Sequence, residues 1–192
     1  PARCIAKALA SFGRIDALVN NAGVGLVKKL LDATDAEFMQ LFEVDFLAPM
    51  RFTRAALPEL IKTKGAIINV GSVHAHGAVQ KYAHYAATKC AMEGFTRGLA
   101  IDYGKDGVRA NIIHPGLVKS PQNDGLLAEL TDDVQGWISD FTDKKQCLPE
   151  AVTAKQVGEL CAYLLSEDAR SITGQRLFID GGLTSLLWNN GG

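Results

Sequence analysis

Apolar residues recur along this chain in two alternating rhythms, one at helical spacing and one in short unbroken runs. From Ala2 to Phe12 the residues Ile5, Leu9 and Phe12 fall three or four apart, and Gly13 stops the pattern where a glycine C-cap is favoured. The run Ile15-Asp16-Ala17-Leu18-Val19 predicts a strand, closed by Asn20-Asn21-Ala22-Gly23. Such runs suit parallel strands buried on both faces. Thr34-Asp35-Ala36-Glu37 has capping-box spacing and predicts a helix to about Ile61, bent by Pro49 and Pro58 and ended by Gly65. A strand over Ala66 to Val70, a helix from about Tyr82 to Tyr103 and a strand over Val108 to Ile113 follow, the last closed by Pro115-Gly116. Residues 117–150 are polar and weakly periodic, the pattern of a long functional loop. A second capping box, Thr153 to Gln156, opens a helix striped by Val157, Leu160, Cys161, Leu164 and Leu165, and the strand Arg176 to Asp180 precedes Gly181-Gly182.

Strands alternating with helices, without repeats, predict an α/β fold with a doubly wound, mainly parallel, Rossmann-like sheet. Ligands of such sheets bind at the carboxyl ends of the strands. Asn20 to Gly23, Gly71-Ser72 and Pro115 to Ser120 all fall there.

Composition narrows the function classes. The 192 residues are 47% hydrophobic and 21% charged, which fits one ordinary globular domain. Twenty Lys and Arg balance 21 Asp and Glu to a net charge of -1 with no basic stripe, which argues against nucleic acid as a partner. No apolar run approaches a membrane span, so no membrane partner is expected. Cys4, Cys90, Cys147 and Cys161 form no CxxC pair, which argues against a zinc site and a disulfide framework and predicts reduced thiols in a cytoplasmic protein. The chain opens on Pro1 inside a helical pattern, from which the expectation is the C-terminal portion of a single domain.

Tyr85 and Lys89 lie four apart on a predicted helix and emerge on one face, with Ser72 thirteen residues upstream at a strand end. A tyrosine hydroxyl is a poor acid–base group at neutral pH, but a nearby cation favours its ionised form. Taken alone, such a pair is weak evidence and is more often an exposed tyrosine lying along a lysine stem.

Five ordered features, NNAG at Asn20–Gly23, the Gly71-Ser72 strand end, Tyr85-x-x-x-Lys89, Pro115-Gly116 followed by Ser120, and Asp180-Gly181-Gly182, resemble the short-chain dehydrogenase/reductase family over Gly13 to Thr184. The resemblance implies an NAD- or NADP-dependent oxidoreductase that interconverts a secondary alcohol and a ketone. Tyr85 would exchange a proton with the substrate oxygen, Ser72 would hydrogen-bond that oxygen, and Lys89 would bind the nicotinamide ribose and favour the ionised Tyr85. Asn20, Ala22 and Gly23 would approach the cofactor ribose, and Pro115, Gly116, Val118 and Ser120 would line the nicotinamide. His74 faces the substrate in several members, against the alternative of a loop histidine bonded to backbone. His74 and His76 lack the further ligands of a metal site, and His84 and His114 are expected in packing or polar-shell roles. Residues 117–150 would form the substrate lid, in which Trp137, Ile138 and Phe141 either line the pocket or pack in the core. Family members pair through the helices over 34–61 and 82–103, implying a homotetramer or homodimer with a small-molecule substrate.

Two departures qualify the resemblance. The family usually carries asparagine where this chain has Asp45, supporting a water in a proton relay to the lysine; aspartate is expected to keep the relay while adding negative charge beside Lys89. The family's glycine-rich phosphate loop has no match here, so the expectation is that the first two βαβ units are absent and that this chain alone binds dinucleotide poorly. A truncated, non-catalytic remnant acting as an interaction module is the alternative function, and a lyase or epimerase using the same tyrosine is a third.

Overall fold

The computed structural model describes residues 1–187, the side chain of Gln122 aside; the rest of the expected 1–192 unit lies outside the described residues. Helix α1 (Ala2–Phe12) ends at Gly13, whose φ of 75° is the left-handed conformation that closes helices. Strand β1 (Ala17–Asn20) follows, then α2 (Asp35–Phe42). Its capping box is complete: Thr34 Oγ1 accepts from the Glu37 N–H, and the Glu37 carboxylate accepts from the Thr34 N–H. The single helix expected over 34–61 is two. A π-helical turn, Glu43–Leu47, separates α2 from α3 (Ala48–Thr63), and its extra residue accompanies the burial of Asp45. Pro49 sits in the first turn of α3, where a missing N–H is tolerated.

Strand β2 (Ala66–Val70), helix α4 (Ala83–Tyr103) and strand β3 (Arg109–Pro115) match their expected places. Residues 117–150 differ from the expected loop. They hold β4 (Val118–Lys119), α5 (Pro121–Ala128) and α6 (Val134–Lys145), and β4 pairs in parallel with β5 (Val152–Thr153). Side-chain caps at Ser120 and Asp133 start the two helices, and Leu127, Ile138 and Ala151 bury a small core beneath them. Ile138 is therefore a core residue, while Trp137 packs on that core and stacks on Phe141 at 5.2 Å. The chain closes with α7 (Ala154–Leu165) and β6 (Arg176–Ile179).

The main sheet is parallel throughout, in the order β1-β2-β3-β6. Successive residues of β2 serve opposite faces: Ile67 packs with Leu57, Leu60 and Leu99 of α3 and α4, and Ile68 with Cys161 and Leu164 of α7. Helices on both faces explain the unbroken apolar runs of β2 and β3 and make the sheet doubly wound, while β1, expected to be buried on both faces, is an edge strand with Ala17 and Val19 exposed. A buried polar ladder crosses it: Asn20 Nδ2 donates to Asn69 Oδ1 at 2.8 Å and to Thr53 Oγ1 at 3.1 Å, and Asn69 Nδ2 donates to Thr96 Oγ1 at 2.8 Å. At the amino end of β3, the Arg109 guanidinium donates to the carbonyls of Leu164 at 2.6 Å, Ser166 at 3.3 Å and Ile172 at 3.4 Å, closing the C-terminus of α7.

Candidate active site

The carboxyl ends of β1, β2 and β3 deliver three turns to one edge of the sheet. Beyond β2, Ser72 caps a single 3₁₀ turn, Val73–Ala75. Its Oγ accepts from the His74 N–H at 3.3 Å, which leaves the hydroxyl proton free to be donated elsewhere. Tyr85 and Lys89 stand one turn apart on α4, the tyrosine half-buried and the lysine buried. Lys89 Nζ lies 5.1 Å from the centre of the Tyr85 ring, a cation–π contact.

The same ammonium is 3.1 Å from Asp45 Oδ2, an ion pair whose approach angle is not that of a hydrogen bond. Asp45 Oδ1 accepts from the Val24 N–H at 2.8 Å. The carboxylate thus joins the π-helical turn, the lysine and the chain just past Gly23. A Cβ on Gly23 would stand 3.3 Å from Lys89 Nζ and 3.5 Å from Asp45 Oδ1, so glycine lets this turn close over the pair. Both charged side chains are almost fully buried, and each neutralises the other.

His74 links the serine turn to the tyrosine helix. Its ring stacks on Tyr82 at 4.5 Å and meets the Tyr85 ring edge-on at 5.6 Å. Burial holds the imidazole below its ordinary pKa and so favours its neutral form, and burial, with the neighbouring Tyr85 adding to it, pushes the Tyr82 hydroxyl up. His74 Nδ1 is buried without a hydrogen-bond partner among the described residues.

The other sequence-predicted residues are arranged around this centre with different commitments. The Asn20 side chain points into the polar ladder under the sheet, and Ala22 is exposed. Pro115 is buried, and the Gly116 N–H donates to Ile179 O at 3.0 Å. The Val118 carbonyl accepts from Asn123 Nδ2 at 2.8 Å, and Ser120 Oγ caps α5 by accepting from the Asn123 N–H at 3.2 Å. The Asp180 carboxylate accepts from the N–H groups of Gly182 and Thr184 and from the Thr184 hydroxyl, and so shapes the turn after β6. Asn69 and Glu93 escaped the sequence reading. Glu93 follows Lys89 by four residues on the same helix face, a spacing that marks it as a neighbour of the site.

A cleft of about 430 Å³ opens between Val24–Val27 and the α5 residues Pro121, Gly125, Leu126 and Glu129. None of Ser72, Tyr85 and Lys89 is among the residues lining that cleft; the Lys89 ammonium, beside the Gly23 turn, is a group able to donate to ribose hydroxyls.

Residues 2–184 match the family model described as enoyl-(acyl carrier protein) reductase. The meso-2,3-butanediol dehydrogenase of Serratia marcescens is 36% identical over 177 residues, 91% of this chain and 66% of the relative. This chain spans 66–70% of the length of such curated relatives. An oxidoreductase structure from Burkholderia thailandensis, described as of the short chain dehydrogenase/reductase family, superposes with a TM-score of 0.85 at 33% identity, over 96% of this chain and 70% of that one. Among the solved structures that hold cofactors, two differ in the nucleotide bound. They are a 4-hydroxyisoleucine dehydrogenase with NADH (TM-score 0.83, 27% identity, 96% of this chain, 74% of that one) and a blue fluorescent protein from a metagenomic library with NADPH (0.83, 30%, 95% and 70%).

Proposed function

This chain belongs to the short-chain dehydrogenase/reductase family, and from that premise we propose that the protein is an NAD- or NADP-dependent oxidoreductase interconverting a secondary alcohol and a ketone. The observation that carries the reading is the convergence on one sheet edge of Ser72, Tyr85 and Lys89, with the Lys89 ammonium 5.1 Å from the Tyr85 ring. The cofactor, when bound, supplies the hydride acceptor and donor. In the direction of oxidation, the ionised Tyr85 oxygen takes the substrate O–H proton as a hydride leaves the same carbon, giving a ketone and a neutral tyrosine. Ser72 donates its free hydroxyl proton to the substrate oxygen and holds it in place. Lys89 supports the negative charge on the Tyr85 oxygen, and Asp45 positions Lys89 by ion pairing. A relay of protons through Asp45 is a further part of the reading, supported by its contact with Lys89.

Asn20, Ala22, Gly23, Pro115, Gly116, Val118 and Ser120 are assigned to the nicotinamide half, Asn20 and Ser120 through backbone because their side chains are engaged elsewhere. Residues 117–150 form the lid over the substrate, with His74 contacting it. Assembly as a homodimer or homotetramer through α2, α3 and α4 is supported by the exposed Met39 and Ile101, and a cytoplasmic location by the free cysteines.

The test is turnover by the full-length protein with NAD or NADP and a panel of secondary alcohols, vicinal diols included. Tyr85→Phe is expected to lower kcat by about 10²–10⁴-fold. A Tyr85→Phe protein that keeps the wild-type rate would overturn the reading.

A further inference from the structure

The hydrogen-bond ladder between β2 and β3 runs out just before Ser72. Its last rung is the Gly71 N–H donating to Ile113 O at 2.7 Å. One residue on, Ser72 is buried and lies beyond the paired register of β2 and β3, and a buried N–H without an acceptor is costly. The imidazole of His114 takes that place. It is fully buried, and its Nδ1 lies 3.1 Å from Ser72 N and 2.8 Å from Ser72 O. A Cβ on residue 71 would stand 2.5 Å from Nδ1, so only glycine there admits the ring.

One nitrogen cannot serve both contacts at once, and counting partners selects between them. Ser72 O already accepts from the Ala75 N–H at 3.0 Å, whereas the Ser72 N–H has His114 Nδ1 as its acceptor. The lone pair therefore belongs on Nδ1 and the ring proton on Nε2. The far end of the ring agrees. Nε2 faces Glu93 Oε2 at 3.7 Å, and the Glu93 carboxylate is held by Arg176 at 2.8 Å, so an N–H is favoured there and a lone pair is not. The opposite tautomer would donate to Ser72 O but leave the buried Ser72 N–H without its acceptor and turn a lone pair toward a carboxylate. Burial lowers the pKa of His114 and so keeps the ring neutral, with Nδ1 able to accept. Phe178 of β6 stacks on the ring at 5.1 Å and fixes its plane.

We propose that His114 is a positioning residue for the reaction: as the neutral Nε2–H tautomer selected by Glu93, it fixes the Ser72 main chain and, through it, the direction of the Ser72 hydroxyl. The proposal rests on the role given to Ser72 above. It reaches the substrate only through that serine, so its loss acts on turnover rather than on cofactor affinity.

The experiment compares Ser72→Ala, His114→Leu and His114→Asn in the full-length protein, with ¹⁵N NMR of the imidazole in the unaltered protein. Asparagine can place its Oδ1 where Nδ1 stood and accept from the Ser72 N–H. His114→Leu is expected to lower kcat about 10–100-fold with cofactor KM within about twofold of wild type, and His114→Asn to recover most of that loss. The NMR spectrum is expected to show a protonated Nε2 and a bare Nδ1. Wild-type turnover in Ser72→Ala would overturn the underlying reading and the proposal with it. Loss in Ser72→Ala with wild-type turnover in His114→Leu overturns the proposal alone. A protonated Nδ1 in the unaltered protein overturns it as well, whether or not the leucine variant folds.

Discussion

Replacing Asp45 by leucine in the full-length protein removes one half of an ion pair whose side chains are 5% and 0% exposed and whose charged atoms are 3.1 Å apart. At that separation the gross attraction is ~5 kcal/mol for an effective dielectric of about 20, and desolvation of the two groups offsets much of it. The observable cost is set by what remains, a lysine ammonium stranded beside Gly23 with no counter-charge, which amounts to about 3–5 kcal/mol. In a protein of this size range that lowers the melting temperature by roughly 6–20 °C. Asp45→Asn keeps an acceptor for the Val24 N–H and isolates the loss of charge, so it is expected to cost less than leucine does. Lys89→Met strands the carboxylate instead. The double variant Asp45→Leu/Lys89→Met leaves neither charge unpaired, and its destabilisation is expected to fall about 2 kcal/mol or more below the sum of the singles. Chemical denaturation of the four variants, followed by circular dichroism, measures every leg of the cycle. An Asp45→Leu cost below about 1 kcal/mol, or strict additivity of the two singles, would refute the buried pair as the support of Lys89.

Three further outcomes follow from contacts elsewhere. Arg109→Met should destabilise the protein by about 1–3 kcal/mol in the same denaturation assay, because the Leu164 carbonyl at the end of α7 and the Ile172 carbonyl lose a charged donor. Gly71→Ala should cost about 1–3 kcal/mol and reduce turnover together, since the new methyl group would displace the His114 ring from Ser72; an alanine protein of unchanged melting temperature and rate would contradict that packing. Lowered folded-state pKa values at the buried His114 and the half-buried His74 mean that the unfolded chain binds protons more readily below an ordinary imidazole pKa near 6.5. Stability should therefore be level above that pH and decline below it, and denaturation midpoints from pH 8 to 5 should show a shallower decline in His114→Asn.

Much of this fold is written at spacings of one to four residues. The capping boxes at Thr34–Glu37 and Thr153–Gln156, the closing glycine at residue 13 and the four-residue step from Tyr85 to Lys89 are decided by groups that are neighbours in any helix, and each stands in the structure as its spacing predicts. The unbroken apolar runs of β2 and β3 likewise announced strands covered on both faces, whereas β1, read in the same way, lies at the sheet edge with Ala17 and Val19 exposed. The order of the five motifs along the chain was enough to resemble a family and to single out Ser72, Tyr85 and Lys89.

What tertiary structure alone decided are the partners brought together across long stretches of chain. The break between α2 and α3 follows where Asp45 finds Lys89 and the Val24 N–H, neither of them local to it. Helices α5 and α6 carry polar sequence without a clear stripe, and they are held by caps and by a small core closed by Ala151 beside the β4–β5 pair. Asn20, conspicuous in its motif, spends its side chain on Asn69, opposite it in the register of β1 and β2. His114 met Ser72 from 42 residues away only because β2 and β3 run in register and part at Gly71. Local free energies select elements from their own residues, whereas a buried polar atom is satisfied by whichever partner the packed chain brings within about 3 Å, and that choice exists only once the sheet has formed.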